Sequence, residues 1–329
     1  SPGGHYVLWA FEGHKVTPRQ LEKLTDSGLK EVYIDVEEAF QYEEYLETNL
    51  GKILENQSST VDQKAAIFSK VSTNVVRNAF ESSFGPGTLG PESIKRTEDM
   101  INNALRFISE SKSLQPLAQM IGHDYQTYEH ATKVLWFTMA FLKEHQEIMS
   151  IICPGFEEME EGQQFTMLSQ CGVAALLHDI GKTYTSPDIL NKNGPLTALE
   201  WEIMKRHPLN GLAILLGANL PEFAKKAVLE HHEDFNGAGY PMGLRGLHIS
   251  ILGRVLRIVD TFDAMTSRRP YKEPHSPKKA IEIMIGTPPQ KKKSSESVKD
   301  VRDLGMSHCF DEDLLRKFIL FLGRTKLDE

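Results

Sequence analysis

Cysteine is scarce: Cys153, Cys171 and Cys309 are the whole complement of 329 residues, odd in number and without CxxC spacing. That excludes a disulfide framework and a thiolate zinc site, and it fits a reducing cytoplasm. Long apolar runs are missing too. None reaches the roughly 18–20 residues that a bilayer span needs, so no membrane segment is expected. Positive charge is in deficit, with 37 Lys and Arg against 45 Asp and Glu and a formal net charge of −8, which argues against a broad DNA- or RNA-binding surface. An anionic ligand would have to be met by local cations, either metal ions or a few placed Arg and Lys. The chain opens Ser1-Pro2-Gly3-Gly4, with neither an initiator Met nor a charged-then-apolar leader, and reads as trimmed rather than as a secretory precursor.

The hydrophobic content of 40% is ample for a core, and the length allows one large domain with a small one. Residues 5–10 and 30–35 look like short strands flanking a helix. That helix has a start at Thr17-Pro18-Arg19-Gln20 (N-cap, first-turn proline, capping-box partner) and a left-handed stop at Gly28. A small α/β module is therefore expected first. Polar helical stretches follow at 37–56 and 60–83, then a breaker-rich segment, Phe84-Gly85-Pro86-Gly87-Thr88-Leu89-Gly90-Pro91, which sets the expected domain boundary: 1–91 and 92–329. Beyond it, apolar residues recur at three and four spacing in 96–110, 130–146, 166–180, 197–216, 221–232, 250–265 and 311–322, predicting a nearly all-α domain. Thr287 to Ser295, with its lysine run, reads as a mobile surface loop and a solvated face.

The sharpest chemical signal is Leu176-Leu177-His178-Asp179-Ile180-Gly181-Lys182, an imidazole and a carboxylate side by side at the polar end of an apolar helix. Burying both without partners would cost several kcal/mol, and a metal ion compensates them. Lys182 lies three and four residues on, where a continuing turn would bring its ammonium to the same face. A lone His-Asp pair is more often a hydrogen-bonded core pair. His130, His207, the consecutive His231 and His232, and Asp260 change that reading, because together they supply five His and two Asp from five helical segments. Imidazole and carboxylate suit borderline and hard divalent ions such as iron or manganese. Seven ligands exceed one ion's need, and shared between two ions they leave positions for water and a phosphate. After His232, the run Glu233-Asp234-Phe235-Asn236-Gly237-Ala238-Gly239-Tyr240-Pro241 makes a tight, backbone-determined loop. After Asp260, Arg268, Arg269 and Lys272 lie where they could hold a phosphate.

These stretches, HDYQTYEH (123–130), LLHDIGK (176–182), PDILNKNGPLTALEWEIMKRHP (187–208), HHEDFNGAGYP (231–241) and IVDTFDAMTSRRPYK (258–272), resemble the HD-GYP family of cyclic di-GMP phosphodiesterases. The match runs from about His123 to Gly323, roughly three fifths of the chain. The resemblance implies a mainly α, HD-type domain with a dinuclear metal site, preceded by the small α/β domain. It implies metal ligation by His130, His178, Asp179, His207, His231, His232 and Asp260, with Asp179 bridging. Lys182 would steady the phosphate or leaving group, Arg269 and Lys272 would hold the dinucleotide, and Gly239, Tyr240 and Pro241 would form the signature loop, lining the substrate or docking a signalling partner. The expected reaction is hydrolysis of cyclic di-GMP to pGpG and onward to GMP. A phosphodiesterase for mixed cyclic GMP-AMP, a one-metal nucleotide phosphohydrolase and a non-catalytic cyclic-dinucleotide receptor are the alternatives. Gln126 stands where some relatives carry a metal-recruiting Glu, so two ions are expected rather than three; Glu233 to Asn236 depart from the usual aromatic pattern, and 286–305 resembles an insertion. The amino-terminal module's expected role is regulatory or dimerising, with a purely structural role as the alternative.

Overall fold

The computed structural model describes residues 34–56, 58–83, 88–110, 127–267, 273–286 and 305–324, together with positions 17, 19, 20, 23 and 26–28. It divides into two compact units, Ser1–Tyr45 and Leu46–Glu329. In the first, the expected cap is present: Gln20 Oε1 accepts from Thr17 N at 2.9 Å and from its hydroxyl at 2.8 Å, and Gly28 takes the left-handed conformation at φ 87°. The expected strands fall outside the described residues except Ile34 and Asp35, which carry none; a 3-10 turn, Val36–Glu38, follows instead. Among the described residues there is no strand anywhere in the chain.

The helices, in order, are α1 (Ala39–Thr48), α2 (Leu50–Glu55), α3 (Val61–Ser83), α4 (Pro91–Glu110), α5 (Thr127–Glu144), α6 (Gln146–Ile152), α7 (Glu161–Leu177), α8 (Pro187–Leu190), α9 (Ala198–Met204), α10 (His207–Leu215), α11 (Glu222–Glu230), α12 (Ile251–Thr266), α13 (Pro277–Ile285) and α14 (Glu312–Arg324). The axis of the second unit is α5, buried without interruption from His130 to Leu142 and packed by α3, α7 and α12. A helix buried on every face over this length sits inside others, with His130 and Lys133 among its buried polar groups. Phe137 and Phe141 on α5, Phe262 on α12 and Phe318 and Phe321 on α14 pack through edge-on and tilted ring contacts at 5.5–6.3 Å. Trp136 meets Phe68 of α3 edge-on at 4.6 Å.

That last contact explains why the boundary expected at residue 91 differs from the division by packing. Phe68, Val71, Val75 and Val76 of α3 join the same core as Met100, Ile101 and Leu135. The core continues on both sides of the Gly- and Pro-rich segment, because the apolar face of α3 has to be covered.

Two expected elements are corrected. The helix expected over 197–216 is broken at Lys205 and Arg206 into α9 and α10, with Pro208 in the first turn of α10, where a missing N–H costs nothing. Helix α13 was not expected, although Ser276-Pro277 starts it in the ordinary way, with Ser276 Oγ accepting from Lys279 N at 3.2 Å. No helix among the described residues is long and apolar enough to cross a membrane. The surface loop at 287–295 lies outside the described residues.

Candidate metal centre

Four helix ends and one helix interior deliver the predicted ligands to one place. His178 closes α7 and Asp179 begins the turn after it; His207 opens α10; His231 and His232 close α11; His130 stands in the first turn of α5; Asp260 sits inside α12. His130, His178, Asp179, His207 and His231 are all at most 1% exposed.

The histidines are oriented from behind. His178, His207 and His231 each share a short Nδ1 contact with the carbonyl three residues earlier, on Ala175, Met204 and Val228, at 2.7, 2.8 and 2.7 Å. A carbonyl only accepts, so Nδ1 carries the proton and the Nε2 lone pair points inward. His130 uses a carboxylate instead: Nδ1 is 2.6 Å from Asp263 Oδ2, while Asp263 Oδ1 accepts from Ser267 Oγ at 2.9 Å and Ser267 Oγ accepts from the buried Lys133 Nζ at 2.9 Å. Ring-backing of this kind sets the tautomer and basicity of metal-binding imidazoles.

Inside, acceptors face acceptors. His207 Nε2 is 3.1 Å from His231 Nε2 and 3.2 Å from Asp179 Oδ1, and His130 Nε2 is 3.1 Å from Asp260 Oδ1. His178 Nε2 and Asp179 Oδ1 are buried with no hydrogen-bond partner. A buried acceptor left unpaired costs about 1–3 kcal/mol, and several converging lone pairs cost more unless a cation lies among them. The donor set therefore fits a divalent metal. Two groups of side chains are close enough to hold one: His130, His178 and Asp179, and Asp179, His207, His231 and His232, with ligand atoms within 4.8 Å in each. Asp179 belongs to both. Its Oδ2 is 3.4 Å from His178 Nε2 and 3.9 Å from His130 Nε2, whereas its Oδ1 is 3.2 Å from His207 Nε2 and 3.9 Å from His231 Nε2.

The protonation states suit that use. Burial works against an ionised Asp179, but the Lys182 ammonium, 2.5 Å from Oδ2, holds its carboxyl well below the usual range. Burial opposes ionisation of Asp260 likewise, and His130 holds it low. Burial, reinforced by neighbouring imidazoles, pushes His231 and His232 well below the ordinary histidine value, so both offer free lone pairs at neutral pH. No cysteine belongs to either group among the described residues, and burial raises the Cys171 thiol far above its usual value and Cys309 to about 11.

Two glycines make the assembly compact. A Cβ on Gly181 would lie 1.9 Å from the His207 carbonyl oxygen and 2.4 Å from Gly211 N, so only glycine lets α10 bring His207 against Asp179. A Cβ on Gly239 would lie 2.1 Å from Asp234 N, which keeps the 233–246 loop folded on itself. That loop is tied by Glu233, whose carboxylate accepts from Met242 N at 2.7 Å and Leu244 N at 2.8 Å, and by Arg257, which bonds Asp234 at 2.8–2.9 Å. Tyr240 and Pro241, joined by a cis peptide, thereby come over the centre, with the Tyr240 ring 4.8 Å from that of His232. Burial and the nearby Asp260 and Asp179 push the Tyr240 hydroxyl upward, so it stays protonated.

Every predicted ligand thus lies in one cluster, with Lys182 and Tyr240 beside it. Arg269, Lys272 and Gln126 lie outside the described residues. Sequence reasoning missed Asp263, Ser267 and Lys133, although Asp263 follows Asp260 at i+3 and Lys133 follows His130 at i+3, spacings that place each beside its ligand. Arg257, one turn before Asp260, was missed as well.

A family model described as HD domain matches residues 157–291. A cyclic di-GMP phosphodiesterase of Pseudomonas aeruginosa is 27% identical over 277 residues, 80% of this chain and 62% of that protein. Another of Thermotoga maritima is 38% identical over 153 residues, 46% of this chain and 37% of its own length. A 3'3'-cGAMP-specific phosphodiesterase of Vibrio cholerae is 44% identical over 103 residues, 31% of this chain and 20% of its own. The chain thus spans less than two thirds of each of these relatives. An HDG"Y"P protein from Bdellovibrio bacteriovorus shares the fold, with a TM-score of 0.60 over 96% of this chain and 90% of that one, at 17% identity.

Proposed function

Because the chain belongs to the HD-GYP family of HD-domain proteins, we propose that it is a metal-dependent phosphodiesterase that opens cyclic di-GMP to the linear dinucleotide pGpG. The observation that carries the reading is Asp179, whose two oxygens face two different sets of imidazoles. His130, His178 and Asp260 would hold one ion with Asp179, and His207, His231 and His232 the other; iron or manganese suits this nitrogen and oxygen set. When bound, such a pair supplies Lewis acidity toward a phosphate and lowers the pKa of a coordinated water.

The chain's own residues do the rest. Lys182 offers an ammonium at the edge of the cluster, where it steadies a phosphoryl oxygen or the departing 3′-oxygen once a metal shares Asp179. Tyr240, kept protonated, can donate a hydrogen bond to the phosphate. Gly239 and Pro241 shape the loop that carries it, and Arg269 and Lys272 are assigned the dinucleotide's remaining charge. Arg257 is spoken for by Asp234, so its part is to hold the signature loop against α12. Residues 1–91 are assigned a regulatory or dimerising role, and the signature loop is the face offered to a signalling partner. The three free cysteines and a nucleotide substrate suit the cytoplasm.

The test is anaerobic incubation of the iron- or manganese-loaded protein with cyclic di-GMP and, in parallel, with mixed cyclic GMP-AMP, resolving products by chromatography. Chelator-sensitive conversion of cyclic di-GMP to pGpG supports the reading. Turnover of the mixed dinucleotide alone would favour the second reading, which the Vibrio cholerae similarity motivates. Two bound metals without turnover of either would leave a receptor.

A further inference from the structure

Helix α9 has no buried residue. It is held at its N-terminus: Thr197 N donates to Glu200 Oε2 at 2.7 Å, Glu200 N donates to Thr197 Oγ1 at 3.3 Å, and Lys192 Nζ lies 2.5 Å from Glu200. Such a helix needs no large apolar residue for its stability, yet it presents Trp201 with 46% of its surface exposed. The indole meets the Tyr240 ring edge-on with centroids 6.1 Å apart, and Tyr240 in turn lies 4.8 Å from His232 and 6.3 Å from His207. A ladder of rings therefore climbs from the buried imidazoles through a half-buried phenol to an exposed indole.

We propose that Trp201 is the base-stacking residue of this site, taking the face of one purine of a cyclic dinucleotide whose phosphate sits at the histidine–aspartate centre. The inference rests on the phosphodiesterase reading and adds a subsite to it. An exposed indole two rings from the centre suits a flat base, and its edge-on partner Tyr240 holds it in place from one side. Stacking uses the π face that every base has, so it gives affinity without choosing between guanine and adenine.

The experiment compares wild type, Trp201→Ala and Trp201→Phe as full chains loaded with manganese. Steady-state kinetics and equilibrium dialysis are run with cyclic di-GMP and with mixed cyclic GMP-AMP. Trp201→Ala is expected to raise KM and the dialysis Kd by about 5- to 150-fold, the factor that loss of one base–aromatic stack produces. The loss falls on KM rather than on kcat, is similar for both dinucleotides, and is mostly recovered in Trp201→Phe. An unchanged KM, a loss confined to kcat, or a fall in bound manganese would overturn the assignment while leaving the phosphodiesterase reading standing. A wild type that neither binds nor hydrolyses either dinucleotide overturns both.

Discussion

The two halves of the centre are built differently. On one side, His207 and His231 are each held by the main-chain carbonyl three residues earlier, Met204 at the end of α9 and Val228 in α11; His178, in the group of His130, is held the same way by Ala175. On the other, His130 is held by a carboxylate, Asp263, which reaches it from α12 and is backed by Ser267 and Lys133. A carbonyl clamp depends only on local helix geometry and is hard to remove by substitution. The carboxylate clamp reaches His130 from another helix, so it depends on two helices staying in register. The half around His130 should therefore be the more tunable, and the half around His207 the more dependent on backbone packing.

Substitution of the shared residue, Asp179→Asn, should erase the difference by disabling both halves. Bound metal, measured by elemental analysis, should fall for both ions, and turnover should drop by more than the roughly 10–100-fold typical of a lost supporting residue. Retention of one full metal equivalent would show that the two groups do not share the carboxylate.

Gly181→Ala attacks the packing-dependent half alone. The new methyl must displace α10, costing about 1–3 kcal/mol in stability and moving His207. Denaturant melts and metal titration should report a lower midpoint with loss of one ion; an unchanged melt would mean that α10 yields without strain.

Asp263→Asn attacks the carboxylate clamp alone. It should weaken the ion at His130 by about 10–100-fold in affinity, leave the other group near wild type, and be detectable by competition with a coloured chelator. Equal weakening of both ions would contradict the proposed independence of the two clamps.

The smallest expected effect is a pH dependence in the metal-free protein. His231 and His232 are depressed in the fold, so below about 6.5 the unfolded chain takes up protons that the folded one does not. Their contribution is full above that pH and is lost as pH falls toward the folded values. Asp179 and Asp260 act in the same direction below about 4. Melts from pH 8 to 5 should show falling stability, and metal loading should shift the onset to lower pH; stability rising toward pH 5 would contradict the assigned shifts.

Much of the centre was legible in the chain because its ligands cluster in short motifs at helix ends, where hydrophobic periodicity stops and polar residues begin. Asp263 and Lys133 were harder to find, since both lie inside long buried helices and look like ordinary core substitutions until their partners come together. The break between α9 and α10 was hidden by continuous helical periodicity on either side, although Pro208 marked it. The extent of the core was not legible for a related reason. Breakers at 84–91 describe only the local path of the chain, whereas the burial of Phe68 against Trp136 depends on what later helices leave uncovered.

The amino-acid sequence by itself determined the helical character of the described residues beyond 92, which imidazoles and carboxylates are candidate ligands, and the glycine at 181, because periodicity, ligand chemistry and the absence of a Cβ are properties of single residues and short spacings. Only the tertiary structure decided which oxygen of Asp179 faces which histidines, which tautomer each ring adopts and where Trp201 stands, because those follow from helices distant in the chain meeting at a few ångströms.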